Sequence, residues 1–159
     1  MSTPFLEQFY KPKREPYQYI DKKFQGTDEE FKELLNKSTT LYVGEVCPAI
    51  KEECIWELFS LVGPVKRVIM GINRNDRRPC GFCFVEYYTR KDAENCVKFI
   101  SGFRLDGHFL KCDIDHGYCE GRELGRGESG GQVKDEFKKR RIGKPMNRYN
   151  DNHKRFRGN

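Results

Sequence analysis

The stretch from Cys80 to Tyr87 constrains the fold of this chain more than any other. It reads Cys-Gly-Phe-Cys-Phe-Val-Glu-Tyr, and successive side chains of a strand point to opposite faces of its sheet. Phe82 and Phe84 therefore share one face, whereas Cys83 and Val85 share the other, where they suit a hydrophobic core. The two phenylalanines on the opposite face need a reason other than core packing.

An upstream stretch, 41–46, repeats this design. Leu41 and Val43 face one way and Tyr42 faces the other. Two neighbouring strands that place aromatic rings on the same face form a platform on which nucleic-acid bases stack. The alternative is an ordinary sheet with a few exposed aromatic residues.

The two stretches resemble the paired signatures of the RNA recognition motif (RRM), of which the second reads Lys/Arg-Gly-Phe/Tyr-Gly/Ala-Phe-Val-x-Phe/Tyr. The residues of this chain that match are Gly81, Phe82, Phe84, Val85 and Tyr87. The chain departs from the signature at Cys80 and Cys83. Both signatures occur in the right order and at a plausible separation, which argues against an ordinary sheet.

Hydrophobic periodicity and turn residues predict the other elements. The predicted strands are 40–46, 65–70, 80–88 and 109–115, and the predicted helices are 51–61 and 90–100. This order predicts an α+β fold, the ferredoxin-like βαββαβ sandwich of the RRM, in which two helices back a four-stranded antiparallel sheet. Thr27 and Glu30 have the spacing of a capping box, so a further helix is expected to about Lys37. The polar loop 73–79 is interpreted as either a phosphate contact or a solvated turn.

Charge and composition divide the chain into three parts. We expect an N-terminal extension at 1–38, an RRM domain at 39–116 and a Gly/Arg-rich basic tail at 117–159. Residues 1–115 hold 18 Lys/Arg and 18 Asp/Glu, whereas residues 116–159 hold 12 and 6, so the whole net charge of +6 lies in the tail. Such a tail suits a polyanionic partner such as RNA. A solvated tail that only aids solubility is the alternative.

The seven cysteines are an odd number and several lie within apolar alternations, which is typical of a reduced intracellular protein. Cys80 and Cys83 have the spacing of zinc ligands, and Cys112, His116 and Cys119 follow. Residues 80 and 83 would point to opposite faces of one strand, which argues against chelation. We therefore expect no metal and no cofactor.

The sequence does not predict an enzyme or a membrane protein. It has three histidines, whose spacing indicates no catalytic group, and it lacks a paired nucleophile and base or a phosphate-cradling loop. It has no apolar run long enough to span a bilayer. A binding protein is the expected class.

The last predicted strand adds carboxylates to the aromatic face. Period two places Lys111, Asp113 and Asp115 on that face, and Leu110, Cys112 and Ile114 on the core face. Carboxylates are unfavourable beside a polyanion, but they accept hydrogen bonds from the N1–H and N2–H₂ groups of guanine. A 7-methylguanine base is also cationic, so aromatic rings attract it. The alternative is that both aspartates simply end the strand.

A block in the tail is far more specific than these signatures. It reads Gly121-Arg122-x-x-Gly125-Arg126-Gly127-x-Ser129-Gly130-Gly131-Gln132-Val133-x-Asp135-Glu136. With this block and further matches from Tyr19 to Phe137, the chain resembles the small subunits of the nuclear cap-binding complex. Generic RRMs lack the tail block.

The resemblance implies a protein that binds the 7-methylguanosine cap of RNA polymerase II transcripts. Tyr19 and Tyr42 match the two rings that stack on the cap base. The residues that match the recognition of that base are Phe82, Phe84, Lys111, Cys112, Asp113, Ile114 and Asp115. The tail residues that match the phosphate contacts are Arg122, Arg126, Gln132 and Val133, and the tail is expected to become ordered up to about 137 on cap binding. The chain has Lys111, Ile114 and Phe137 where the family usually has Arg, Trp and Tyr.

The resemblance also implies partners and a location. A large helical-repeat subunit is expected to form a heterodimer with the chain, to order its two extensions, and to support mRNA processing, splicing and export. The expected location is the nucleus, with shuttling to the cytoplasm, and the basic run 138–141 is typical of an import signal read by an import receptor. Two alternatives remain: a general single-stranded RNA binder, and an RRM that binds proteins through Trp56 and the helical face.

Overall fold

The structure is a computed structural model that describes residues 21–142. Its strands are β1 (Thr40–Gly44), β2 (Val65–Ile72), β3 (Pro79–Tyr87), β4 (Arg104–Leu105), β5 (His108–Phe109) and β6 (Lys111–Asp115). Its helices are α1 (Asp28–Lys37), α2 (Glu52–Ser60), α3 (Arg90–Phe99) and α4 (Val133–Ile142). Among these described residues, no helix is long and apolar enough to cross a membrane. Tyr19 and the outer ends of both predicted extensions lie outside the described residues.

The four-stranded antiparallel sheet predicted from the sequence is confirmed. Its strand order is β2-β3-β1-β6, and every neighbouring pair is antiparallel. In this register Tyr42 lies opposite Phe84 on one side and opposite Asp113 on the other. The central strand therefore brings the aromatic residues of β1 and β3 next to the carboxylates of β6.

The predicted start of the last strand at Phe109 was wrong. Phe109 pairs with Arg104 in a separate two-stranded hairpin, and β6 begins at Lys111. The hairpin turns at Asp106 and Gly107, whose φ angles are 48° and 80°. Positive φ at both central residues is the geometry of the tight turn that Asp-Gly favours.

Helices α2 and α3 cover the face of the sheet opposite the aromatic residues. The fully buried side chains of this core include Ile55, Phe59, Ala93, Cys96, Leu41, Val43, Cys83 and Val85. The Tyr87 hydroxyl donates to the carbonyl of Phe59 at 2.7 Å and so joins β3 to α2. Trp56 is half-buried at the rim of this core, and its indole N–H donates to Glu52.

Helix α1 begins with the predicted capping box. The Thr27 hydroxyl accepts from the Glu30 amide at 3.2 Å, and the Glu30 carboxylate accepts from the Thr27 amide at 2.9 Å. Phe31 and Leu35 are buried, and Arg90 of α3 donates to the carbonyls of Leu35 and Ser38. These contacts fix α1 beside the domain and bring the preceding residues to the end of β6.

Candidate nucleic-acid interface

Three aromatic rings lie on the face of β1 and β3 that is opposite the helices. The Tyr42 and Phe82 rings are stacked, with centroids 5.6 Å apart and an interplanar angle of 24°. Phe84 meets both rings edge-on, at 5.8 Å from Tyr42 and 6.0 Å from Phe82. Tyr42 is half-buried, whereas Phe82 and Phe84 are buried. Tyr42 is therefore the ring best exposed to a ligand.

The tail buries this aromatic surface by returning to the far edge of the sheet. Leu124 forms a parallel bridge with Ile72 at the end of β2. The Ile72 amide donates to the carbonyl of Glu123 at 2.8 Å, and the Gly125 amide donates to the carbonyl of Ile72 at 2.9 Å. The tail thus adds a short segment to the sheet, and the residues after it pass over the rings.

The polar loop between β2 and β3 holds the tail. The two terminal nitrogens of Arg74 donate to the carbonyls of Gly125, at 2.9 Å, and Gly127, at 3.1 Å. The side-chain amide of Asn75 donates to the carbonyl of Ser129 at 3.1 Å. The sequence left phosphate contact and solvation as the two interpretations of this loop, and neither included these hydrogen bonds.

Tyr118 closes the aromatic surface near β2. Its ring lies 5.4 Å from the Phe84 ring, and the guanidinium carbon of Arg67 lies 5.0 Å from the Tyr118 centroid. The Tyr118 hydroxyl donates to Glu123 at 2.5 Å. Burial and this hydrogen bond raise the pKa of Tyr118 to about 12, so the hydroxyl remains a donor at neutral pH. No pattern in the sequence had predicted a role for Tyr118.

Gln132 connects the tail to both aromatic strands. Its amide nitrogen donates to the carbonyl of Cys80 at 2.7 Å, and its amide oxygen accepts from the Tyr42 hydroxyl at 3.2 Å. Gly81 has a φ of +97°, and a Cβ added there would lie 3.1 Å from the Gln132 amide. The glycine of the RRM signature therefore permits both the backbone conformation and the approach of Gln132.

Arg122 lies over the Phe84 ring, 4.9 Å from its centroid, and binds two carboxylates. Its terminal nitrogens donate to both oxygens of Asp115, at 2.5 and 2.9 Å, and one of them also donates to Asp21 at 3.0 Å. Burial lowers the pKa of Arg122, but the bonds to Asp115 outweigh it and raise the pKa above its ordinary value. A residue predicted to bind phosphate is therefore paired with a residue predicted to read the base.

Asp21 is a second centre of charge that the sequence analysis missed. Arg126 donates to both of its oxygens, at 2.6 and 3.3 Å, and His116 Nε2 lies 3.1 Å from Oδ2. Burial raises the pKa of Asp21, but the hydrogen bonds from Arg126, the Lys23 amide and His116 hold it well below its usual range. Asp21 is therefore a carboxylate at neutral pH and joins the N-terminal extension to the tail.

The side chains of β6 face as the alternation predicts. Cys112 is buried in the core and Ile114 packs against it, so the side chains of these two candidate residues point away from the aromatic face. Asp113 is half-buried, and burial raises the pKa of its carboxyl, an effect that Lys111 partly offsets. Among the described residues, no side chain or amide donates to the Asp113 carboxylate, whereas Asp115 is buried and bonded to Arg122.

A cavity of about 510 Å³ separates the rings from the tail. Its lining residues are Lys22, Tyr42, Phe82, Phe84, Arg122, Leu124, Gly125, Arg126, Gln132, Val133, Lys134 and Phe137. Its volume is within the range of small-ligand pockets. Aromatic rings on one side and arginine and lysine groups on the other suit a molecule with a flat base and an anionic chain. Tyr19 lies outside the described residues, but Lys22 follows it closely in the chain and lines this cavity.

The chain is similar in sequence to known proteins. The RNA recognition motif family matches residues 41–111. The chain is 52% identical over 120 residues to nuclear cap-binding protein subunit 2 of Dictyostelium discoideum, covering 76% of this chain and 51% of that protein. It is 52% identical over 121 residues to the protein of the same name from Homo sapiens, covering 76% and 78%. The chain therefore spans about half the length of the first relative and most of the second.

A solved structure is similar in fold. The crystal structure of RNA-binding protein PG1 aligns with a TM-score of 0.50 and 25% identity. The alignment covers 52% of this chain and the whole of that chain. The similar part corresponds in extent to a single RRM-sized domain.

Proposed function

Because this chain belongs to the nuclear cap-binding protein subunit 2 family, we propose that it binds the 7-methylguanosine cap of RNA as the small subunit of a nuclear cap-binding complex. One observation carries the proposal: a single cavity of about 510 Å³ lies between the aromatic rings of the sheet and the arginines of the tail. A cap combines a flat cationic base with a triphosphate, and so needs both kinds of group side by side.

The base stacks on Tyr42. This ring lines the cavity and is held by the Gln132 amide and the stacked Phe82 ring. Tyr19 supplies the second ring from the N-terminal extension. A cationic base between two electron-rich rings gains cation–π attraction that an unmethylated guanine lacks, which explains a preference for the methyl group.

Asp113 reads the guanine edge. Its carboxylate lies on the aromatic face, next to Tyr42 in the sheet, and can accept from the N1–H and N2–H₂ groups. Asp115 has less acceptor capacity left for the base, since both of its oxygens accept from Arg122 and Oδ2 also accepts from the Gly117 amide. Lys111 adds a cation, whereas Cys112 and Ile114 can contribute their backbone groups, because their side chains belong to the core side.

The tail holds the phosphates. Arg122 and Arg126 line the cavity with Gln132 and Val133, and Lys22 and Lys134 add two further cations. Guanidinium groups bind phosphate oxygens through paired charge-assisted hydrogen bonds. The neutral rings of the sheet therefore take the base and the cations of the tail take the triphosphate, in different parts of one cavity.

The chain acts in a heterodimer with a large helical-repeat subunit, in the nucleus, and shuttles to the cytoplasm with its RNA. The family membership supports a complex and a nuclear role. The basic run 138–141 is the candidate contact for an import receptor, and binding of the partner and the cap orders the two extensions. Mass action then stabilises the closed tail whenever capped RNA is present.

The test compares the binding of 7-methylguanosine triphosphate and GTP at two salt concentrations, for the chain alone and with a large cap-binding subunit. We expect a strong preference for the methylated ligand at both salt concentrations, increased by the subunit. Tyr42→Ala should abolish the preference, whereas Tyr88→Ala, which removes an exposed ring outside the cavity, should not. Equal binding of both ligands with a steep salt dependence would favour a general RNA binder instead.

A further inference from the structure

Asp21 lies where the two ends of the domain meet. It is 5% exposed and accepts from Arg122 and Arg126 of the tail and from His116 at the end of β6. These partners are 95 to 105 residues away in the sequence. A single side chain thus joins the N-terminal extension to the segment that covers the aromatic rings.

We infer that Asp21, braced by His116, is a positioning residue that fixes the guanidinium groups of Arg122 and Arg126 toward the phosphates of the ligand. The inference rests on the proposed function. Asp21 itself is not a ligand contact, because its carboxylate would repel a phosphate. Its role is to act through the two arginines.

The geometry of the arginines supports this role. Arg126 donates to both oxygens of Asp21 and still lines the cavity, with 28% of its side chain exposed. An arginine that is already held in place loses less conformational freedom when it binds phosphate. The Asp21 carboxylate therefore weakens the electrostatic attraction between Arg126 and a phosphate, but it fixes the direction in which the guanidinium points.

His116 holds Asp21 in turn. Its ring meets Phe24 at 5.0 Å and Phe31 at 5.6 Å, and Phe31 is a buried residue of α1. The ring is thus fixed by packing while its Nε2 contacts Asp21. The order of contacts runs from α1 through His116 and Asp21 to the tail arginines.

Asp21 could act through its charge alone or by positioning the arginines. These two explanations predict opposite changes in the affinity for a triphosphate ligand when Asp21 is replaced by Asn. If Asp21 contributes only its charge, Asp21→Asn makes the cavity more positive, so the affinity for a triphosphate ligand rises. If Asp21 positions the arginines, the same variant lowers that affinity. A loss confined to general stability would lower the affinities for 7-methylguanosine and its triphosphate by the same factor.

The experiment uses the full chain in complex with its large subunit and compares 7-methylguanosine with 7-methylguanosine triphosphate. For Asp21→Asn we expect a loss on the order of tenfold for the triphosphate and a clearly smaller loss for the nucleoside. Glu120→Gln removes the same charge from an exposed position and should leave the triphosphate affinity unchanged or slightly higher. His116→Phe should reproduce part of the loss, and His116→Gln, which keeps a donor, should restore it.

The outcomes separate the inference from the proposed function. A wild-type complex without preference for the methylated ligand would overturn the proposed function and, with it, the phosphate role of Asp21. A wild-type complex with that preference, and an Asp21→Asn complex that binds the triphosphate as well or better, would overturn the inference alone. Hydrogen exchange of residues 117–131 should also be faster in Asp21→Asn without ligand, and unchanged exchange would contradict the anchor.

Discussion

The Arg122 guanidinium donates to both carboxylate oxygens of Asp115, and the pair lies against the face of the Phe84 ring. Both side chains are at least nine-tenths buried. Two groups that the resemblance assigns to different parts of a cap are thus in direct contact. The tail is closed on the sheet by the same residues that are proposed to bind the ligand.

Asp115→Asn should destabilise the closed tail, because it leaves the Arg122 charge buried with Asp21 as its remaining carboxylate. Removing one partner of a buried ion pair typically costs about 3–5 kcal/mol, and we expect about 3 kcal/mol since Asp21 compensates in part. Urea unfolding and hydrogen exchange of residues 117–131 measure the loss. Asp113→Asn is the matched control, and equal destabilisation by both variants would contradict a special role for the Arg122 pair.

Asp113→Asn should separate stability from binding. Burial raises the pKa of Asp113, so ionising this carboxyl costs the folded state free energy. That cost is absent at pH values below the ordinary aspartate pKa and is fully present above the raised folded pKa. We therefore expect the variant to be slightly more stable than the wild type at neutral pH and no more stable near pH 3.

The same variant should bind the cap more weakly. Loss of charge-assisted hydrogen bonds to the guanine edge should cost about 1.5–3 kcal/mol. For the wild type, affinity should fall as the pH drops through the raised pKa of Asp113, because a protonated carboxyl cannot accept from both guanine donors. Titration of the affinity between pH 4 and 7 checks this, and a flat profile would exclude Asp113 as the reader.

Tyr42→Ala should cost about 1–3 kcal/mol of cap binding, the value of one lost base stack. Tyr42→Phe keeps the ring but loses the hydroxyl bond to Gln132, so it should cost less and should mainly loosen the tail. Fluorescence titration with 7-methylguanosine triphosphate measures both. Similar losses in the two variants would assign the effect to the hydroxyl and not to stacking.

The sequence predicted the sheet because its evidence is local. Alternation in β1 and β3 separates the core side from the aromatic side. The same period in β6 places the side chains of Asp113 and Cys112 on opposite faces of the sheet. The capping box at Thr27 is likewise complete within one turn of helix. Each of these patterns depends on neighbours in the chain, so the face on which each side chain lies could be predicted from them.

The contacts of the tail could not be predicted in this way. Arg74 meets Gly127 across 53 residues and Arg126 meets Asp21 across 105 residues, and no period in the sequence relates such positions. The short hairpin is a different case, because Asp106-Gly107 is a recognised local signal for a tight turn. It was missed because the strands beside it have two residues each.

Arg74→Ala should release the tail from the loop between β2 and β3. Its two hydrogen bonds to tail carbonyls are partly buried. We therefore expect the free energy that holds the tail on the sheet to fall by about 1–2 kcal/mol. Hydrogen exchange at Gly125 and Gly127 should become faster, and cap affinity should fall by a similar free energy. Arg78→Ala removes an exposed arginine from the same loop and serves as the control for charge.

Arg126→Ala tests the division of the cavity between base and phosphate. The variant removes a cation that lines the cavity but leaves Tyr42 and Phe82 in the lining and Asp113 opposite Tyr42 in the sheet. The affinity for 7-methylguanosine triphosphate should fall by about 1.5–3 kcal/mol, the value of hydrogen bonds to a charged group, while that for 7-methylguanosine should change little. The salt dependence of triphosphate binding should become shallower, because one fewer cation meets the phosphates. Equal losses for the nucleoside and the triphosphate would place Arg126 in the support of the tail and remove it from phosphate binding.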